Sequence, residues 1–376
     1  MSYLLALDQG TTSSRAIIFD EHGKVHATAQ RETHIKTPHS GWVEQDAQEI
    51  WTTQIAVVQQ AMASARILAK DIKALGLTNQ RETTVVWDKR TGTPLAPAII
   101  WQDRRAAEWC NSLLQNNKMD KIHKTTGLRI DPYFSAGKLV WLLQHIDGLR
   151  ELAQQGHVAF GTIDSWLIWN LTQGSQHVIE VSNASRTMLM NLKTQQWDAE
   201  LLDLFDIPHS VLPTIIRSDE YVANTAPGLL GAEIPIAGVM GDQQSALFGQ
   251  SCFEIGTAKN TYGTGCFMLF NTGEKLQYSH NQLLTTLAWN CQNKTSYALE
   301  GSVFMAGAIV QWLRDGLGII KNSTEVEKLA CQVNSTDGVV LVPAFTGLGA
   351  PHWDTDARAL LCGMSRGTNK AHIARA

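Results

Sequence analysis

The sequence predicts an α/β fold in which two similar domains face one another across a cleft. Strand patterns and helix patterns alternate along the chain, the order that builds layered α/β structure. A glycine–threonine hairpin near the start, Gly10-Thr11-Thr12, recurs as Gly263-Thr264-Gly265, an offset of 253 residues. The length of 376 residues also suits two domains of ~150 residues each.

The elements follow in order. Leu4 to Leu7 is a short buried strand, residues 8–14 a polar turn, and Arg15 to Asp20 a second strand. A turn at residues 21–24 leads into a third strand, Val25 to Thr33, which completes an antiparallel meander. Trp51, Ile55, Val58, Met62 and Ala65 step by four, three, four and three, one apolar stripe of a helix whose first turns carry Glu44, Asp46 and Glu49. Residues 72–78 return to strand and run into Asn79-Gln80-Arg81-Glu82. Strands at 85–87 and 98–101 flank a turn at 90–92. Helices then dominate to about residue 206, and an apolar strand, Ile234 to Met240, ends at Gly241-Asp242.

Composition narrows the function. The chain is 44% hydrophobic and 18% charged, enough for a large core and unlike a disordered tail. Its net charge is −4 and it has neither a basic stripe nor a run of five like charges, which argues against a nucleic-acid partner. No apolar run approaches the ~18 residues of a membrane span, and Asp8 interrupts the N-terminus too early for a signal peptide. A soluble, cytoplasmic protein is expected. The six cysteines form no CxxC pair and accompany no histidine cluster, so they read as buried thiols.

Residues 8–15, Asp-Gln-Gly-Thr-Thr-Ser-Ser-Arg, suit a phosphate and a divalent ion. Glycine lets backbone N–H groups approach closely, the hydroxyls add donors, Arg15 can reach phosphate oxygens, and Asp8 can hold Mg²⁺ through its waters. A plain hairpin would use the same turn residues. No GxxxxGK[ST] occurs, so a nucleotide site would be of the two-hairpin kind. Asp242, between an apolar strand and a helix, reads as an N-cap or as a general base at a strand end, and the two are compatible, since one oxygen could cap while the other accepts a proton. Arg81-Glu82 offers donors and acceptors for vicinal hydroxyls, and Trp101 an apolar wall.

Together these segments resemble the glycerol kinases of the FGGY carbohydrate kinase family, within the actin/Hsp70/sugar-kinase superfamily. The resemblance rests on LDQGTTSSRAIIFD at 7–20, TNQRETTVVWD at 78–88, IIWQDRR at 99–105, NASRTML at 183–189, GDQQSALFGQ at 241–250, AKNTYGTGCFML at 258–269 and ALEGSVFMAGA at 298–308. It implies two actin/Hsp70-like (ribonuclease H-like) domains around a cleft: 1–250, holding glycerol and phosphate, and 251–376, the nucleotide side. It also implies ATP-dependent phosphorylation of glycerol to sn-glycerol 3-phosphate, with ATP and Mg²⁺ as cofactors. Glycerol would be held by Arg81, Glu82, Tyr133, Asp242 and Gln243 between Trp101 and Phe267. Asp242 would be the base and Asp8 the Mg²⁺ partner, with Thr11, Thr12, Ser13, Arg15, Thr264, Gly307 and Gln311 on the nucleotide.

The resemblance implies a homo-oligomer for full-length members of the family. The family continues past Ala376 with a Gly-rich loop and an Asn for adenine, so the second domain is expected to be incomplete. The alternatives are a polyol-binding chain without turnover, or a kinase for another polyol or sugar. Residues 227–235 also lack the Arg with which enterobacterial-type members bind fructose 1,6-bisphosphate.

Overall fold

A computed structural model of the protein describes residues 2–376. The predicted meander is present: Tyr3–Gln9 pairs antiparallel with Ser13–Asp20, and Ser13–Asp20 with Val25–Glu32. Alternation decides its faces, because Leu5, Leu7, Ala16 and Ile18 all point into one core and are at most 1% exposed. Helix Ala47–Ala65 covers that face, capped by Asp46, whose carboxylate accepts the Gln48 and Glu49 N–H groups.

The helix is turned slightly from the predicted stripe. Its buried row is Ala47, Ile50, Gln54, Val57, Val58 and Ala61, while Trp51, Met62 and Ala65 pack at the core margin. Adjacent helical rows are both apolar here. Gln54 is tolerated inside because its Nε2 donates to the Arg15 carbonyl at 3.0 Å.

Strand Ile72–Asn79 lies parallel to Tyr3–Gln9 on one side and to Pro235–Gly241 on the other, within a six-stranded sheet. Gln9 and Gly241 are both in register with Asn79, so three strands end together at one edge. In open α/β sheets that carboxyl edge is where ligand clefts form. The strands expected at 85–87 and 98–101 take separate partners. Val85–Asp88 pairs with Val158–Gly161, and Ala98–Ile99 with Glu44–Gln45, leaving only a Thr84–Ile99 bridge between them. All four residues of Val85–Asp88 are buried, and a distant strand was needed to complete the burial.

The second hairpin is also present. Ala258–Tyr262 pairs antiparallel with Cys266–Gly273 and opens a four-stranded antiparallel sheet completed by Lys294–Val303 and Leu284–Cys291. The two halves share a core: Phe267, Leu284 and Phe304 pack in one cluster with Trp101, Tyr133 and Phe134. Among the described residues no helix is long and apolar enough to cross a membrane. The cysteines are all free, but Cys331 and Cys362 are exposed, contrary to the expectation of buried thiols.

Candidate active site

The carboxyl edge of the first sheet and the turn of the second hairpin enclose a cleft of about 310 Å³. Asp8, Thr11, Thr12, Arg81, Glu82, Trp101, Tyr133, Asp242, Gln243, Thr264 and Phe267 all line it. Eleven residues drawn from six separate sequence segments thus meet in one place.

Asp8 is the penultimate residue of its strand, and its side chain keeps 36% of its surface open with Arg15 Nη1 at 3.6 Å. Burial pushes its carboxyl up and Arg15 opposes the shift. The turn that follows is held from beneath, since the Thr11 carbonyl accepts from Gln45 Nε2 at 2.7 Å. Trp101 Nε1 donates to Thr11 Oγ1 at 2.9 Å, tying the apolar wall to the turn.

Arg81 and Glu82 belong to a four-charge network that is almost wholly out of water. Glu300 accepts from Arg81 Nη1 at 2.6 Å, from Arg81 Nη2 at 2.9 Å and from Arg186 Nη2 at 3.0 Å. Arg186 Nε donates to Glu82 Oε1 at 2.7 Å. Two cations and two anions balance, which is the condition under which buried charge is tolerated. Burial pushes the Glu300 carboxyl up, yet Arg186 and Arg81 hold it down at about 2. Glu82 adopts a left-handed backbone with φ of 60°, a strained conformation for a residue with a Cβ. Tyr133 OH receives Arg81 Nη2 at 3.4 Å, and its ring stands edge-on to Trp101 at 5.9 Å.

Asp242 is the first residue of helix Asp242–Gly249, with Gly241 in the cap position. The N-cap alternative therefore fails: the carboxylate caps nothing, and its Oδ1 has no hydrogen-bond partner, with Arg81 Nε 3.5 Å away. Gly241 is required beside it, because a Cβ there would come within 2.9 Å of Arg81 Cδ. A third of the Asp242 side chain remains open, toward the cleft that it lines. Burial by the rest of the site pushes its carboxyl up to about 6, against the pull of Arg81. The next residue, Gln243, accepts a hydrogen bond from Lys259 Nζ, which also donates to Thr261 Oγ1 at 2.9 Å and to the Phe267 carbonyl at 3.1 Å.

The second turn closes onto a helix start. Ala306 N–H donates to the Thr264 carbonyl and Gly307 N–H to the Gly263 carbonyl, both at 2.9 Å. A Cβ at Gly307 would lie 2.7 Å from the Gly263 oxygen, so only glycine allows this approach. Four expected nucleotide residues stand outside the cleft lining. Ser13 Oγ accepts from Gln30, Arg15 is shared by Asp8 and Gln30, and Gly307 and the exposed Gln311 lie on helix Gly307–Asp315.

Arg186, Glu300, Lys259 and Gln80 were given no role by sequence reasoning, although Gln80 lines the cleft and the other three hold residues that do. A signal existed for Glu300: a carboxylate inside the apolar strand Tyr297-Ala298-Leu299-Glu300 has to find a cation or coordinate something.

Residues 3–249 match the N-terminal domain, and residues 258–376 the C-terminal domain, of the FGGY family of carbohydrate kinases. The chain is 79% identical over 376 residues to a glycerol kinase of Acinetobacter baylyi, covering 100% of this chain and 76% of that protein. It is 57% identical over 374 residues to a glycerol kinase of Deinococcus radiodurans, of which it spans 74%. The chain therefore spans about three quarters of the length of these curated relatives.

Among solved structures, a Plasmodium falciparum glycerol kinase with ADP superposes with a TM-score of 0.85 at 38% identity, covering 100% of this chain and 75% of that one. A xylulose kinase from Lactobacillus acidophilus matches with a TM-score of 0.84 at 22% identity, covering 100% of this chain and 75% of that one, a likeness of fold alone. With both halves matched and the fold shared, the chain belongs to the FGGY family of carbohydrate kinases.

Proposed function

We propose that the chain transfers the γ-phosphoryl group of ATP to glycerol, giving sn-glycerol 3-phosphate and ADP. The observation that carries this reading is Asp242: a carboxylate with a third of its side chain open, in a cleft bounded by hydroxyl-recognising side chains on one side and two glycine–threonine turns on the other. The relatives named glycerol kinase, at 79% and 57% identity, supply the substrate class.

In this reading Arg81, Glu82, Tyr133 and Gln243 orient glycerol by its hydroxyls, and Trp101 and Phe267 pack against its carbon chain. Asp242 accepts the proton of the attacking hydroxyl as it approaches phosphorus. Such transfers rest mainly on positioning and electrostatics, with a well-placed base adding ~10²–10⁴-fold. The turns at 10–12 and 263–265 cradle the phosphates with backbone N–H groups, and Arg15, Ser13, Gly307 and Gln311 extend the nucleotide side.

The donor set fits Mg²⁺. Among the described residues no three His, Cys, Asp or Glu form a metal cage, but Mg²⁺ is commonly bound through one or two carboxylates plus substrate phosphates. Asp8, partly open beside the first turn, would hold the ion through water, and the ion would neutralise charge on the phosphate oxygens.

A coupled ADP-release assay over a panel of glycerol, xylulose, ribulose and gluconate tests the reading. Glycerol is expected to be the preferred acceptor. Equal or faster turnover with a pentulose would refute it.

A further inference from the structure

The segment Glu180 to Thr187 meets several of the elements that carry or hold site residues, and beyond the Arg186 ion pairs nothing in the chemistry above uses it. All eight residues are at most 2% exposed. Asn183 exchanges paired amide hydrogen bonds with Asn79, at 3.0 and 3.1 Å, where the strand leading to Arg81 and Glu82 ends. Arg186 holds Glu82 and Glu300. The Thr187 carbonyl accepts the Ala136 N–H at 2.8 Å, just after Tyr133. Ser185 Oγ meets Thr286 Oγ1 of the second sheet at 3.0 Å.

The anchor of the segment is one carboxylate. Glu180 Oε2 accepts from Ser182 Oγ at 2.5 Å and from the Asn183 N–H at 3.1 Å, while Oε1 accepts from Ser218 Oγ at 2.6 Å. Ser182 Oγ, while donating to Glu180, accepts the Gly241 N–H at 3.1 Å. Gly241 is the residue before Asp242. Burial pushes the Glu180 carboxyl up to about 7, against the pull of its serine hydrogen bonds. In its ionised form it can only accept, so the serine donates to it and a serine lone pair is left for the backbone amide. Charge on Glu180 polarises the hydroxyl and strengthens its hold on Gly241.

We propose that Glu180 and Ser182 are positioning residues for Asp242, setting the place of the carboxylate through the Gly241 amide. The inference rests on the reading of Asp242 as the base, but its geometry can be tested apart from activity. Ser182→Ala removes the acceptor and touches no cleft residue. It is expected to lower kcat about tenfold with the glycerol KM unchanged within about twofold, because the hydroxyl-binding groups stay in place while the base drifts. Deuterium uptake by the Gly241 amide is expected to rise at least about tenfold, whether or not the chain turns over.

Ser218→Ala serves as the control. It removes a hydrogen bond from the other oxygen of the same carboxylate, and it is expected to lower the melting temperature with kcat held within about twofold of the parent. Should Glu180→Gln fold, its effect on kcat is expected to be non-additive with that of Ser182→Ala, as for two members of one path. Unchanged exchange at Gly241 in Ser182→Ala would overturn the proposal. So would an equal loss of kcat in Ser218→Ala. An inactive parent chain would instead count against the reading of the reaction, with the exchange result still deciding the geometry.

Discussion

At the scale of single residues, Asp242 joins two properties that a base for hydroxyl deprotonation needs: a carboxyl pushed up to about 6 by burial, and a third of its side chain open at the cleft. A base of that pKa becomes protonated in mild acid, so kcat/KM is expected to fall about tenfold per pH unit below about pH 6, which a pH–rate profile will show. Asp242→Asn is expected to lower kcat by at least about 100-fold while calorimetric titration still detects glycerol. The same shift bears on stability. The folded pKa lies above the ordinary 3.8, so this carboxyl's favourable contribution is fully present below about pH 4 and is lost as pH rises through about 6. Asp242→Asn is therefore expected to melt higher than the parent at pH 8 but not at pH 4, with the gain reduced by the open third of the side chain. Asp242, Arg81 and Glu82 were legible because each stands within three residues of the end of an apolar strand. Arg186 was not, and Glu300 declared only the need for a cation, because the partners that explain them stand 104 and 219 residues away.

At the scale of elements, the second hairpin works through its seating on helix Gly307–Asp315. Gly307→Ala would drive a Cβ against the Gly263 carbonyl. The expected result is a raised KM for ATP with glycerol affinity unchanged, read by titrating each ligand separately. Segment 223–236 contributes a different expectation. It carries no Lys or Arg, and its one charged group, Glu233, already accepts from Asn224 Nδ2 at 2.8 Å. A bisphosphate would meet a carboxylate and no cation there, so fructose 1,6-bisphosphate is expected not to inhibit, checked in the same ADP-release assay. Both hairpins were readable from sequence, since tight polar turns between alternating strands are local features. The pairing of Val85–Asp88 with Val158–Gly161 was not, because a fully buried strand has no alternation to declare its neighbour.

At the scale of the whole molecule, Glu300 is the link between the halves: it lies on the second sheet and neutralises two arginines of the first half. Glu300→Ala leaves Arg81 and Arg186 buried with one carboxylate fewer. It is expected to cost ~3–5 kcal/mol in guanidinium denaturation, the range for removing one partner of a buried ion pair. The exposed Arg314–Asp315 pair supplies the contrast, and Asp315→Ala is expected to leave the denaturation midpoint unchanged. The shared cluster of Phe267, Leu284 and Phe304 with Trp101 and Tyr133 argues that both halves respond together to the loss of Glu300.

The amino-acid order by itself determined the α/β class, the two glycine–threonine hairpins and the strand-end residues Asp8, Arg81, Glu82 and Asp242. Each of these is written within a window of a dozen residues, where periodicity and turn chemistry act. Tertiary structure alone decided that three parallel strands end in register at one edge, and that Asp242 lines the cleft with a third of its side chain open instead of capping its helix. It also decided that segment 180–187 and Glu300 hold the site from behind. Those outcomes depend on which distant groups share a low-dielectric interior, and in such an interior a buried charge or amide must find its partner in space rather than along the chain.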